Sequence, residues 1–199
     1  MEEILKQAEQ NKVPIVRPKT LQLLLDKIRE TKPKEILEIG TAIGYSAANM
    51  LLASNANLTT IELNENSQNL AKQNLSRLNL SNRVTFILGD AKNVLKDLLN
   101  QNKKFNFVFL DGPKGQYINY LPTITNLLND GGVIFADDVL FRGMVNGDEF
   151  VPHSYRTIVV NLRKYLAEVN NPPYTSQVLD IEDGICISKK TGEKKWLNF

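Results

Sequence analysis

Residues 34–46 decide the fold of this chain and read Lys-Glu-Ile-Leu-Glu-Ile-Gly-Thr-Ala-Ile-Gly-Tyr-Ser. The segment Glu35–Ile39 is short, apolar and β-branched at two positions, which is typical of a buried strand. Gly40 and Gly44 follow it, and the residues from Tyr45 onward favour a helix. A strand, a glycine turn and a helix bring backbone N–H groups close to a bound ligand. The glycine spacing disfavours a P-loop and the dinucleotide fingerprint of dehydrogenases, and a β–α turn that binds nothing fits this stretch equally well.

The composition is that of a globular protein without a disulfide framework. The 199 residues are 42% hydrophobic and 23% charged, with a net charge of +2 that does not by itself indicate nucleic-acid binding. Cys186 is the only cysteine, which excludes an internal disulfide and a cysteine-rich zinc site. No apolar run approaches the ~20 residues of a membrane span, and the acidic N-terminus lacks a signal-peptide layout. We therefore expect a cytoplasmic protein with no membrane partner.

Strand-like and helix-like segments alternate through most of the chain. This alternation predicts an α/β fold with a mostly parallel sheet, right-handed crossovers and helices on both faces. Near the C-terminus, Asp183-Gly184 separates two strand-like runs and is a hairpin signal, so an antiparallel C-terminal hairpin should close one edge of the sheet. The predicted strands after the first are Leu58–Leu63, Arg83–Leu88, Phe105–Leu110, Val133–Ala136 (after a Gly131-Gly132 turn), Ser176–Ile181 and Gly184–Ser188.

The length favours a single domain, residues 1–199, with two distinct ends. Residues 1–32 form an N-terminal helical extension, interrupted by the extended stretch Val13–Pro18, where two prolines disfavour helix. Residues 190–199 form a basic tail that contains Trp196 and Phe199.

Acidic residues recur where successive predicted strands end. Glu62 ends the second strand, Asp90 follows the third, Asp111 the fourth, and Asp137 and Asp138 the fifth. In an open α/β sheet, ligands bind outside the carboxyl ends of the strands, and an acid at the place of Glu62 can bind ribose hydroxyls. A single aspartate of this kind fits a helix N-cap as well, but the recurrence favours a ligand site.

Three of these carboxylates should converge from two adjacent strands. Asp111, Asp137 and Asp138 would repel one another unless a cation neutralises them. Oxygen-only ligands suit Mg²⁺, Mn²⁺ or Ca²⁺ rather than zinc. Lys114 would lie beside them and could act as a general base if its pKa were lowered, which a bound cation would favour.

Five motifs occur in a fixed order along the chain. With them, the sequence from Pro14 to about Lys190 resembles class I S-adenosylmethionine-dependent methyltransferases, and more narrowly the metal-dependent catechol/caffeoyl-CoA O-methyltransferase family. The resemblance implies a Rossmann-like, seven-stranded fold. The motifs are Glu38–Ser46, Thr60–Leu63, Gly89–Ala91, Leu110–Lys114 and Ala136–Val139.

The resemblance implies a role for each site residue. The glycine turn and Ser46 would hold the methionine part of S-adenosylmethionine, Glu62 its ribose, and Asp90 with Ala91 its adenine. Lys114, with Asp111, would be catalytic and take the hydroxyl proton. The metal ligands would be Asp111, Asp137 and Asp138, the last standing where the family usually has asparagine. The full cofactor set is Val16, Glu38, Gly40, Gly44, Ser46, Glu62, Leu63, Gly89, Asp90, Ala91 and Asp111.

Three stretches, residues 111–117, 138–145 and 153–166, are most similar to the bacterial tRNA 5-hydroxyuridine methyltransferases. This narrower resemblance implies a wobble-uridine 5-hydroxyl in tRNA as the substrate, Mg²⁺ as a cofactor and a homodimer. A small catechol-like phenol is the alternative substrate. The intact carboxylates and Lys114 count against a non-catalytic nucleotide- or RNA-binding protein. An RNA-phosphate surface and a solvated face are equal interpretations of a basic set made of Arg142, Arg156, Arg163, Lys164 and the lysines of the tail.

Overall fold

A computed structural model of the chain describes residues 1–147 and 150–192. Within these residues, seven strands form one sheet with the spatial order third, second, first, fourth, fifth, seventh, sixth. The strands are β1 (Glu35–Ile39), β2 (Asn57–Glu62), β3 (Val84–Leu88), β4 (Phe105–Leu110), β5 (Leu128–Ala136), β6 (Tyr174–Leu179) and β7 (Ile185–Lys190).

Helices connect the strands and also precede the sheet. In the described part of the chain, none of them is long and apolar enough to cross a membrane. The helices are α1 (Glu2–Asn11), α2 (Pro18–Thr31), α3 (Tyr45–Leu52), α4 (Glu65–Arg77), α5 (Ala91–Asn100), α6 (Tyr117–Leu127) and α7 (Arg156–Val169).

The predicted fold class is confirmed by the strand pairing. The first five strands pair in parallel, and β7 pairs antiparallel with both β5 and β6, so the C-terminal hairpin closes one edge of the sheet. The central strands β1 and β4 are apolar almost throughout because both of their faces are buried. Alternate residues of β1 show this directly: Leu37 and Ile39 pack in one core, and Ile36 packs in the other.

Two cores lie on opposite faces of the sheet. The first contains the buried faces of α5, α6 and α7, and the second contains those of α1, α2, α3 and the C-terminal half of α4. Helices on both faces cover the parallel strands, which leaves the carboxyl ends of the strands as the open edge for a ligand.

The predicted bounds of β2, β3, β6 and β7 differ from the structure by one or two residues at one or both ends, and two further boundaries differ for an identifiable physical reason. Strand β5 begins at Leu128 rather than at Val133, because Gly131, with φ of +77°, and its neighbours form an irregularity within the strand instead of a turn before it. Pro18 starts α2 instead of ending an extended stretch, since a proline needs no hydrogen-bonded N–H at the first helical position. Of the predicted basic tail, Lys190 belongs to β7, and residues 193–199, with Trp196 and Phe199, lie outside the described residues.

The start of α2 is held by the hairpin turn between β6 and β7. The Glu182 carboxylate accepts hydrogen bonds from the backbone N–H of Lys19 at 3.2 Å and of Thr20 at 2.9 Å, and from the Thr20 hydroxyl at 2.7 Å. These bonds satisfy N–H groups that have no partner within the helix. They also fix residues 14–17, which precede α2, at the carboxyl edge of the sheet.

The glycine turn after β1 allows two strands to approach closely. Gly40 has φ of +103°, and a Cβ there would lie 2.4 Å from the carbonyl oxygen of Asp111 at the end of β4.

We expect Gly40→Ala to lower the free energy of unfolding by about 2 kcal/mol or more, because of backbone strain and this clash. Urea unfolding measures the change.

Gly131→Ala is the matched control, since Gly131 also has a positive φ but a Cβ there would meet nothing within 4 Å. Gly131→Ala should therefore lower the free energy of unfolding only by the conformational cost of a positive φ. Equal losses in the two variants would contradict the close-approach explanation.

Candidate functional site

A cavity of about 920 Å³ opens at the carboxyl ends of β1 to β5. This is the edge at which the acidic residues were predicted to meet. Most of the predicted cofactor residues line the cavity, together with all three predicted metal ligands and Lys114. The predicted residues that line it are Val16, Gly40, Glu62, Leu63, Gly89, Asp90, Ala91, Asp111, Lys114, Asp137 and Asp138.

The Glu62 carboxylate at the end of β2 is held in a fixed orientation. One oxygen accepts a hydrogen bond from the backbone N–H of Ala42 in the glycine turn at 2.8 Å. The other accepts from the N–H groups of Leu63 and Asn64, both at 2.9 Å. A carboxylate has about four acceptor sites, so this arrangement leaves capacity for a ribose hydroxyl.

Asp90 is a helix cap that also lines the cavity. Its carboxylate accepts a hydrogen bond from the backbone N–H of Lys92 at 2.7 Å at the start of α5. The N-cap interpretation and the ligand-site interpretation therefore apply to the same residue. Ala91 is the first residue of α5 and lines the cavity beside it.

Three predicted cofactor residues are not among those that line the cavity: Glu38, Gly44 and Ser46. Gly44, with φ of +82°, precedes α3, and a Cβ there would lie 2.6 Å from the side chain of Leu75. Its role in this structure is the close packing of the turn against α4. A cofactor contact for these three residues stays a prediction.

Glu38 is completely buried in β1, beneath the turn. Its two carboxylate oxygens accept hydrogen bonds from the hydroxyls of Ser46 and Thr60, both at 2.6 Å, and Thr60 also pairs with Thr41. Burial, opposed by these hydrogen bonds, raises the pKa of Glu38 to about 7. The network joins β1, β2 and the start of α3 under the cavity.

The three aspartates converge as predicted. One carboxylate oxygen of each of Asp111, Asp137 and Asp138 lies within 4.8 Å of the other two. Burial first, and then the two neighbouring carboxylates, raise the pKa of Asp137 to about 7. Asp138 has φ of +55°, and its backbone N–H donates to the Asp137 carboxylate at 2.7 Å, so the strand end turns sharply to bring both side chains to the cavity.

Two cationic side chains reach this acidic cluster. Lys114 Nζ donates to Asp111 Oδ1 at 2.6 Å and lies 3.2 Å from Asp138 Oδ2. Burial opposes the charged ammonium, but the nearby Tyr117 and the two carboxylates outweigh it and raise the pKa of Lys114 well above its ordinary value. Lys114 is therefore protonated in this arrangement, and a role as base requires that another cation offset the carboxylates.

Arg17 approaches the cluster from the opposite wall of the cavity. Its guanidinium lies 3.7 Å from Asp138 Oδ1 and donates to Asp183 Oδ2 at 3.3 Å. The pair connects the N-terminal wall of the cavity to the end of β5. The sequence offered only the extended stretch around Arg17 as a signal, and nothing in it linked the two residues.

The donor set fits a divalent metal ion. Three carboxylates supply only oxygen ligands, and they meet at one point of the cavity. Such sets suit Mg²⁺, Mn²⁺ and Ca²⁺. Burial and then repulsion from the other two carboxylates raise the pKa of Asp137, and a bound cation would oppose both effects.

The predicted basic surface is only partly available to a ligand. The Arg163 guanidinium donates to the backbone carbonyls of Met144, Val145 and Gly147, and so supports the loop after β5. Arg156 donates to the carbonyl of Val151 at 3.4 Å. Arg142 remains exposed.

Residues 2–191 match the sequence model of a family described as O-methyltransferase. The chain belongs to the O-methyltransferase family. The predicted family membership is thus confirmed. The narrower resemblance to tRNA methyltransferases stays a prediction.

Individual relatives of this O-methyltransferase agree with the family match. A caffeoyl-CoA O-methyltransferase of Stellaria longipes is 29% identical over 129 residues, which is 62% of this chain and 54%, about half, of that protein. The structure of a candidate caffeoyl-CoA O-methyltransferase from Staphylococcus aureus has a TM-score of 0.86 and 36% identity, and covers 95% of this chain and 91% of that one. The SAH-bound methyltransferase PaMTH1 of Podospora anserina has a TM-score of 0.78 and 27% identity, with coverage of 89% and 80%.

The buried Glu38 gives this O-methyltransferase a specific pH dependence of stability. Between the ordinary glutamate pKa of 4.5 and its folded value of about 7, the folded state keeps a proton that the unfolded state has released. Stability from this group is therefore lost as the pH rises through that window, by roughly 3 kcal/mol in total.

We expect Glu38→Gln to remove this loss. Chemical unfolding of both proteins between pH 4 and pH 8 measures it, as a difference in unfolding free energy that shifts in favour of the variant as the pH rises. Parallel curves for the two proteins would contradict the assignment.

Proposed function

We propose that this chain is an S-adenosylmethionine-dependent and divalent-metal-dependent O-methyltransferase. Its proposed reaction methylates the 5-hydroxyl of 5-hydroxyuridine at the wobble position of tRNA and yields 5-methoxyuridine. The observation that carries the reaction type is the acidic cluster with Lys114 in the same cavity as Glu62, Asp90 and Ala91. A group to be methylated and a methyl donor can therefore occupy one space.

The two ends of the cavity divide the proposed work. Glu62, with its oriented carboxylate, would hold the ribose of the cofactor, and Asp90 with Ala91 would hold the adenine. At the other end, Asp111, Asp137 and Asp138 would hold the metal. When bound, S-adenosylmethionine supplies the methyl group, and a divalent cation lowers the pKa of a hydroxyl beside it.

Lys114 would hold and move the hydroxyl proton at its Nζ. The ammonium is fixed by Asp111 and Asp138 and lines the cavity in which the acceptor hydroxyl would lie. Its pKa is high because Tyr117 and the two carboxylates outweigh the effect of burial, and a further positive charge among the carboxylates would lower it toward the range of a working base. Tyr120, which lines the cavity and lies near Asp90, would help to exclude water from the end that is proposed to hold the cofactor.

The choice of tRNA rests on the resemblance of residues 111–117, 138–145 and 153–166, and on the exposed Arg142 beside the cavity. A small phenol is the second candidate, favoured by relatives whose names state caffeoyl-CoA as the substrate. From the narrower resemblance we also propose a homodimer, to which the N-terminal helices would contribute. We also propose that the protein is located in the cytoplasm.

Substrate competition separates the two candidates. The protein should transfer a radiolabelled methyl group from S-adenosylmethionine, with Mg²⁺, to hypomodified tRNA containing 5-hydroxyuridine and only weakly to catechol or caffeoyl-CoA. EDTA should abolish the transfer, and excess Mg²⁺ or Mn²⁺ should restore it. Transfer to the phenols alone would overturn the tRNA assignment, and full activity in EDTA would overturn the metal requirement.

Lys114→Ala and Asp137→Ala should each lower kcat at least about a hundredfold. The first variant loses the proposed general base, and the second loses a proposed metal ligand. Calorimetric titration should show nearly unchanged affinity for S-adenosylmethionine in both.

The control is Lys103→Ala, which removes an exposed lysine before β4, at the opposite edge of the sheet. It should leave kcat as in the unmodified protein. Full turnover in Lys114→Ala would refute the proposed proton acceptor.

A further inference from the structure

Phe141, Arg142 and Tyr155 form an aromatic and cationic cluster, which we call the stacking platform. The Arg142 guanidinium lies 5.4 Å from the centroid of the Tyr155 ring and 6.0 Å from that of Phe141. It also donates to the Tyr155 hydroxyl at 3.3 Å, and the two rings meet edge to face with centroids 5.4 Å apart. Arg142 is exposed and the two aromatic residues are half-buried, so the planar guanidinium faces solvent on a rigid aromatic base.

The backbone of the platform is held in an unusual conformation. Phe141 and Arg142 have φ values of +41° and +58°, in the left-handed region that side-chain-bearing residues rarely adopt. The turn at Asp183 maintains it: the N–H of Leu140 donates to the Asp183 carbonyl at 2.9 Å, and that of Arg142 to the Asp183 carboxylate at 2.6 Å. Strain of this kind persists where surrounding bonds over-determine the structure, and it concentrates at ligand sites.

The platform lies directly beside the metal-binding end of the cavity. The same Asp183 carboxylate that accepts from the Arg142 backbone accepts from Arg17, which lines the cavity and lies 3.7 Å from Asp138. The Asp183 side chain therefore links the backbone N–H of Arg142 to the cavity wall. The platform is anchored to the same wall as the metal-binding end of the cavity.

We propose that the stacking platform binds the nucleobase next to the target nucleotide in an RNA strand, an inference that rests on the proposed function. Unpaired bases stack on aromatic rings and guanidinium planes, and the positive charge of Arg142 suits the adjoining phosphates. A catechol that fits within the cavity has no part that needs a second planar surface outside it. The platform thus distinguishes an RNA acceptor from a free catechol, and the competition with caffeoyl-CoA, whose coenzyme A part carries an adenine and phosphates of its own, tests that acceptor separately.

Two substrates that differ in the flanking base test the platform. One is the nucleoside 5-hydroxyuridine, and the other is an anticodon stem-loop with 5-hydroxyuridine at the wobble position. Arg142→Ala should raise KM for the stem-loop roughly tenfold or more, the effect of one lost stacking contact. Its kcat/KM for the nucleoside should stay as in the unmodified protein.

Two further variants separate stacking from charge and from folding. Arg142→Lys keeps the charge but loses the plane, so it should bind the stem-loop nearly as poorly as Arg142→Ala. The matched control is Arg77→Ala, which removes an exposed guanidinium from the last turn of α4, where Arg77 pairs with Glu3. It should leave KM for the stem-loop unchanged, and thermal unfolding checks that all variants are folded.

Stem-loop binding is also measured by fluorescence anisotropy, independently of methyl transfer. If the unmodified protein binds the stem-loop through Arg142 but does not methylate it, the proposed function fails and the platform stands. If it does not bind, if Arg142→Ala binds equally well, or if Arg142→Lys restores full affinity, the platform proposal is overturned. An equal loss of activity on nucleoside and stem-loop would also overturn it, because the effect would then lie within the cavity.

Discussion

The repulsion among three carboxylates at one end of a parallel sheet is the constraint on which the site depends. Asp111, Asp137 and Asp138 place oxygens within 4.8 Å of one another, and burial strengthens their interaction. Two cationic side chains reduce this repulsion, Lys114 from one side of the cluster and Arg17 from the other. Arg17 can reach the cluster because Glu182 holds the start of α2, which Arg17 precedes, at this edge of the sheet.

The parts of the fold that could be predicted depend on local pattern. The strand Glu35–Ile39 and the strand Phe105–Leu110 were predicted with their observed bounds, since a run of apolar residues between turn signals has few other solutions in an alternating chain. The carboxyl ends of parallel strands must meet at one edge, so the convergence of the aspartates followed from strand order alone. The order of the parallel strands was therefore enough to predict where the acidic cluster forms.

The parts that could not be predicted depend on contacts distant in sequence or on burial. The bond between Arg17 and Asp183 spans 166 positions, and no periodicity encodes it. The hydrogen bonds that Glu38 makes to the hydroxyls of Ser46 and Thr60 beneath the turn were not predicted, because they join residues of three different elements. For Arg163 the sequence left an RNA-phosphate surface and a solvated face as equal interpretations, but its guanidinium supports a loop through three backbone carbonyls, a use that its residue type does not reveal.

The ion pair between Arg17 and Asp138 also bears on the departure at position 138, where the resembling family usually has asparagine. An aspartate there adds one negative charge to the cluster, and on its own that charge would raise the cost of assembling three carboxylates. Arg17, 3.7 Å away, supplies one positive charge, although it shares that charge with Asp183. Because Asp183 lies closer to the guanidinium, at 3.3 Å, Arg17 offsets only part of the charge that Asp138 adds. The departure in one wall of the cavity is thus contacted by a residue in the other wall, so the two positions are best considered together.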